Sequence, residues 1–312
     1  MRRVFAYVFV TVGFVLICLG PMMRFYTTPR VEKAPLDEYD KTDAIGAGRY
    51  FDQGLLQVVG PHDLRNTSVY RGDVEAGSKS VAVYDHFEST KDIVTEQLID
   101  IVRSRVAMDR VTGEAVRCCG AEHQEGNTLK LPFHTQRITY RFWDGTLKKA
   151  APLKYVRDDR VAGLDVYVFQ QDIPSTPTET IAIPGSLADR PEDENVTATM
   201  HYMAQTTVWV EPETGAIVSG SQHAVRWLTD GDRFLFPVAD TNLRLDQGSV
   251  ERTASRIRSR IAQLHLVRYW IPIFGPILGV VLVIIGWLLL FQRSPAQPES
   301  EVFTRQEKVP AS

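Results

Sequence analysis

Cys118 and Cys119 stand side by side in this 312-residue chain, and Glu122-His123 follow after two intervening residues. Thiol, carboxylate and imidazole at such close spacing suggest redox or metal chemistry. Two adjacent thiols have three fates: a vicinal disulfide, two free thiols, or bonds to another chain. Adjacent trans Cα atoms lie about 3.8 Å apart, below the usual disulfide range of about 4.4–6.8 Å, so a vicinal bond would form a rigid turn open to reduction. Zinc sites space their cysteines by about two to four residues and draw on a second ligand cluster. The sequence offers no second cluster, so neither a metal nor any other cofactor is expected. Nucleophile elbows, metalloprotease His pairs and phosphate-binding glycine loops are absent from the sequence. His62, His86, His134, His201 and His223 are scattered and read as structural. No catalytic residue is assigned, and the chain is expected not to be an enzyme. A net charge of −3 without long like-charge runs argues against a nucleic-acid partner.

The elements that must position these residues read as strands. Short runs rich in β-branched and aromatic residues, bounded by turn formers, recur from Gly48 onward. Among them are Gly48–Asp52, Ser68–Asp73, Ser80–Asp85, Gln136–Trp143 and Ala224–Leu228. Lys154–Val156 and Leu164–Phe169 read as a hairpin turning at Arg157–Arg160, and residues 184–196 as a surface loop marking any subdomain boundary. One pattern occurs twice: Asp109 to Val116 matches Glu211 to Val218 in its acid, Thr-Gly and closing Val. Thr112-Gly113 and Thr214-Gly215 are expected at hairpin turns, glycine supplying the positive φ and threonine suiting the adjoining strand. The fold class expected is α+β, mainly antiparallel β, with the strand-rich part forming a curved, half-barrel-like sheet.

Both ends of the chain are apolar. Val4–Met23 and Tyr269–Phe291 carry no charge, and about 20 helical residues cross the roughly 30 Å hydrocarbon core of a bilayer. The first apolar run is too long for an ordinary signal peptide and lacks small residues at a cut site. The expected organisation is an anchor over 1–24, a β-rich extracytoplasmic domain over 25–249 whose first residues are extended, and a basic amphipathic helix over 250–268. A second transmembrane helix follows over 269–291, then a disordered tail over 292–312. Arg2 and Arg3 place both termini in the cytoplasm under the positive-inside rule. Val250, Ala254, Ile257, Ile261 and Leu264 lie on one face of the amphipathic helix, with Arg252, Arg256 and Arg260 on another. The arginines are read as a membrane-surface face, and the apolar stripe as packing onto the sheet. Gly275 and Gly279 form a Gly-x-x-x-Gly suited to close helix pairing, within the chain or between copies in a homo-oligomer.

Several segments together resemble a family of actinobacterial two-anchor envelope proteins, the porin PorA family. They are Pro21–Tyr26, Lys33–Asp37, Arg71–Val74, Asp109-Arg110, Cys118–Gly120, Leu131–Phe133, Tyr140–Asp144 and Trp209–Gly215. The resemblance implies a place in the cell envelope, and the family name implies a pore. Outer-membrane barrels, however, use alternating strands of about 10 residues and no apolar helices. The expected function is therefore a non-enzymatic plasma-membrane protein whose outer domain binds an apolar or lipid ligand, with membrane lipids as partners. The alternatives are a subunit of an oligomeric channel and a scaffold docking a partner protein. The ligand-binding residues are not legible at this stage.

Overall fold

The computed structural model describes residues 2–291, so the tail 292–312 lies outside the described residues. The chain divides into two compact units: residues 29–265, and the two terminal helices with their flanking turns. The larger unit is built on one antiparallel sheet of ten strands. These are β1 (Tyr39–Asp52), β2 (Gln57–Gly72), β3 (Val81–Asp92), β4 (Leu98–Asp109) and β5 (Tyr140–Asp144), then β6 (Lys149–Val161), β7 (Leu164–Pro184), β8 (Asn195–Val210), β9 (Ile217–Asp230) and β10 (Arg233–Leu245). Their order in the sheet is β4-β3-β2-β1-β10-β9-β8-β7-β6-β5. The class is α+β and mainly antiparallel, and a single sheet takes in every strand.

Carboxylates shape the strand ends. Asp52, Asp92, Asp109 and Asp144 close β1, β3, β4 and β5, and each accepts the backbone N–H groups of the second and third residues beyond it. Glu211, just past β8, does the same for Glu213 and Thr214. A side chain that accepts its own downstream N–H groups stabilises the turn without using the ladder. The Thr-Gly echo in the sequence is thus two instances of a device that recurs at these strand ends.

Some local expectations are corrected. Arg157–Arg160 is not a turn; it pairs with Val168–Asp165 within β6 and β7. The turn lies at Ala162-Gly163, where φ is 47° and 79°, the doubly positive geometry of a tight hairpin. Only residues up to Leu153 of β6 pair with the short β5, so the charged run lies where β6 is itself an edge, and charge protects edges from stray pairing. For the same reason the strand read over Gln136–Trp143 begins only at Tyr140, the residue opposite Leu153. Residues 184–196 close the β7–β8 hairpin rather than dividing two subdomains. The lead-in from residue 25 is helical through Val31 before it becomes irregular.

Helix α2 (Gln247–His265) follows β10. Its Ala254 and Ile257 are buried against Leu164, Val166, Val168, Trp209 and Val218, with Val250 and Ile261 packed around them. In the smaller unit, α1 (Arg2–Met22) and α3 (Ile271–Phe291) lie antiparallel. Gly13 meets Gly279, Ala6 meets Gly286, and Gly20 meets Pro272 and Pro276; a Cβ at Gly279 would sit 2.5 Å from the Gly13 carbonyl oxygen. Small residues at steps of seven let the two backbones touch. The Gly279 end of the Gly-x-x-x-Gly therefore meets a helix of the same chain.

Candidate ligand-binding cavity

Alternate residues of a strand share one face, and in β1 to β4 mainly even-numbered residues line a cavity of about 1700 Å³. Thr42 and Ala44, then Asn66, Ser68 and Tyr70, then His86, Glu88 and Thr90, and finally Val102, Ser104 and Val106 form this wall. Register places Ser68 opposite Glu88 and Tyr70 opposite His86. The His86 ring stacks on Tyr70 at 4.2 Å and bridges the Ser68 and Ser104 hydroxyls at 3.0 and 3.2 Å. Asn66 donates to Glu88 at 2.6 Å and to Thr90 at 3.0 Å. Burial depresses the His86 imidazole to about 4, leaving it uncharged at neutral pH. Burial also raises the Glu88 carboxyl, partly opposed by the Asn66 amide. The wall is therefore polar and rich in hydrogen-bonding groups, and its histidine is uncharged at neutral pH.

The sheet curls round this space. Arg226 of β9 reaches Asp100 of β4 at 3.2 Å, although β3, β2, β1 and β10 lie between them in the sheet. Apolar side chains occupy other parts of the same face. Tyr202 and Arg226 line the cavity as register partners, and Met200 and Leu228, two residues along, lie buried among Ile183, Val196 and Ala198. On β5 and β9, Phe142 and Ile217 line the cavity and pack on Leu131, Leu153 and Phe169. Tyr202 donates its hydroxyl to the buried Asp144 at 2.9 Å.

An irregular strap joins the free edges of the sheet. Isolated pairings run from Met108 to Ala115, from Glu114 to Asn127, and from Asn127 to Phe142. Beyond Asn127 the strap passes between the two Thr-Gly turns. Leu131 N–H donates to the Gly215 carbonyl and Phe133 N–H to that of Val111, while His134 and Thr135 bond to Glu213 and Pro212. Gly113 and Gly215 have φ of 73° and 72°, and a Cβ on either would strike the strap backbone at Lys130 or Leu131. Thr112 and Thr214 each donate a hydroxyl to the carboxylate three residues earlier. The turns thus hold the strap, and the strap holds Thr128, Leu129, Lys130 and Phe133 in the cavity wall.

The sequence-level candidates fall into three places. Cys118 and Cys119 are joined by a disulfide in the first half of the strap, so neither offers a thiolate. The Cys119 carbonyl accepts from Arg105, and His123 lies 3.0 Å from Arg117. The turn residues Thr112, Gly113, Thr214 and Gly215 border the strap as described. The arginines of α2 contact their own domain. Arg252 donates to Ser249, Arg256 pairs with Asp40 and Glu38, and Arg260 donates to the Lys33 carbonyl. Arg256 and Arg260 also line the cavity.

Sequence reasoning did not single out Asn66, Glu88 or Lys130. In β2, Asn66, Ser68 and Tyr70 alternate with Arg65, Thr67 and Val69, so both faces carry polar residues and period alone does not say which faces inward.

The profile of the family described as Porin PorA matches residues 5–288. The chain belongs to the Porin PorA family. A Porin PorA of Corynebacterium resistens is 24% identical over 250 residues, covering 59% of this chain and 60% of that protein. The chain thus spans less than two thirds of that relative's length. The match covers all ten strands and most of both apolar helices. Together with those helices, Porin PorA membership makes this a membrane protein of the cell envelope.

Proposed function

We propose that the chain is a non-enzymatic, two-pass plasma-membrane protein with both termini cytoplasmic, whose extracytoplasmic domain binds an amphipathic lipid in its cavity. The observation that carries this reading is the cavity. At about 1700 Å³ it exceeds the roughly 300–1,000 Å³ of drug-sized ligand sites. Its wall joins the hydrogen-bonding stripe of Asn66, Ser68 and His86 to apolar surface at Phe142, Ile217 and Leu243. A wholly apolar lining would suit a hydrocarbon; this mixture suits a molecule with a tail and a polar head. The test is native mass spectrometry of the full chain, extracted from its own membrane in a neutral detergent. A discrete co-purifying mass of lipid size is expected, and a bare chain contradicts the reading.

The family name favours a second reading, a channel subunit. The backbones of α1 and α3 touch at Gly13 and Gly279, so one chain's helix pair has no lumen of its own. A pore would need several copies joined through the outward apolar faces. Single-channel conductance of the purified chain in planar bilayers tests it, with a stable oligomer required alongside.

A further inference from the structure

The strap carries buried polar atoms that pair with no described residue. Gln124 Oε1 and Thr128 Oγ1 are buried without a hydrogen-bond partner among the described residues, and both residues line the cavity. Two residues on, Lys130 is 8% exposed and lines the same cavity. Its Nζ lies 3.3 Å from the Val111 carbonyl and 3.7 Å from the centre of the Phe133 ring. Among the described residues no ion pair within 4 Å is formed by it.

The charges nearest Lys130 come from three elements. Arg260 of α2 opposes its protonation, while Asp109 at the end of β4 and Glu211 of the β8–β9 turn favour it. Both carboxylates already accept turn N–H and hydroxyl groups. Arg260 itself donates to the Lys33 carbonyl and, among the described residues, has only Glu38 at 4.0 Å as an acidic partner. Two cations therefore line one cavity, Lys130 with no ion pair among the described residues and Arg260 with Glu38 no nearer than 4.0 Å, while Gln124 and Thr128 in the same lining have unmet hydrogen-bonding atoms. A buried charge in that state is costly unless something pairs with it.

The geometry points to an anion subsite in the cavity: Lys130 and Arg260 hold the phosphate or carboxylate of the ligand's headgroup, and Thr128 and Gln124 hydrogen-bond its neighbouring atoms. This rests on the lipid-binding reading and names the headgroup class. It also explains why a lysine stands where methionine would fill similar space without losing hydration.

The test uses the full chain in neutral detergent, titrated calorimetrically with three probes: dioctanoyl phosphatidylglycerol, dioctanoylglycerol with the same tails and no anion, and inorganic phosphate. The phosphatidylglycerol is expected to bind at one equivalent, at least about tenfold tighter than the neutral lipid, as one or two charge-assisted bonds imply. K130M and R260Q are each expected to erase that preference, bringing the ratio of the two lipid affinities to about one. Thermal unfolding of both variants confirms that they fold. Equal binding of the two lipids overturns the anion subsite and leaves the lipid reading standing. So does a preference that survives both substitutions. Phosphate bound in a Lys130-dependent way without either lipid keeps the subsite, as a site for a free anion, and overturns the lipid reading. No binding of any probe overturns both.

Discussion

Asp92 and Lys130 are both buried ionisable residues, yet the fold treats them in opposite ways. Asp92 is 0% exposed, and its carboxylate accepts from four donors. These are the Tyr50 hydroxyl at 2.8 Å, His62 Nδ1 at 2.5 Å and the N–H groups of Val94 and Thr95. Burial alone would raise its carboxyl, but those bonds more than offset burial and hold it well below the usual range. Lys130 receives one carbonyl and an aromatic face. Burial, aided by Arg260, depresses its ammonium to about 7. A satisfied charge fastens a hairpin; an unsatisfied one lowers stability and marks a place where something else is meant to bind.

The contrast can be broken by substitution. The largest effect is expected for Asp92→Asn, which exchanges an anion for an amide that mismatches at least one of its donors. Removing one partner from a buried charge network costs about 3–5 kcal/mol, read as a lowered midpoint in urea unfolding. Lys130→Met should move the same midpoint the other way, by about 1–3 kcal/mol, since burying an apolar side chain in place of an unpaired ion is neutral or stabilising. Destabilisation by Lys130→Met would show that the lysine is a structural tie, and the comparison would collapse.

The pH dependence separates the two sites by sign. Asp92 has a folded-state value below its unfolded one, so its contribution is present above about pH 4 and is lost as the pH falls further. Lys130 is a base whose folded value, about 7, lies below its unfolded one, so the unfolded chain binds more protons between them. Its penalty is complete below about pH 7 and fades as the pH rises toward about 10. The stability gap between wild type and Lys130→Met should therefore close on going from pH 6.5 to 10. A constant gap contradicts the assignment. The smallest effect belongs to Arg260→Gln. Removing the neighbouring cation should shift that closing upward in pH by a fraction of a unit.

The membrane helices and the α2 stripe were legible because each repeats one residue character at one period. Val250, Ala254, Ile257, Ile261 and Leu264 pack where a helical stripe must. Individual strands were legible from β-branched runs, but their ends were not. Arg157–Arg160 looked like a turn because it is charged, and it is charged because it lies at an edge. Turn geometry at Ala162-Gly163 depends on two positive φ values that only glycine announces in sequence. The strap was invisible. Its hydrogen bonds run to two turns about 100 residues apart, so no local period encodes it, and with it Lys130 escaped notice. The twin Thr-Gly segments were seen, while their purpose as a clamp on the strap appears only once the sheet is folded.

A lipid held in the cavity of the β domain can be cross-linked to the residues that line it. The most direct test is to irradiate the full chain with a phosphatidylglycerol bearing a diazirine in its acyl chain, then map adducts by peptide mass spectrometry. Adducts are expected on the inward residues of β1 to β4 and on the strap at 127–135, and excess unlabelled lipid should remove them. Adducts confined to α1 and α3, with none in the cavity wall, would contradict lipid binding in the cavity.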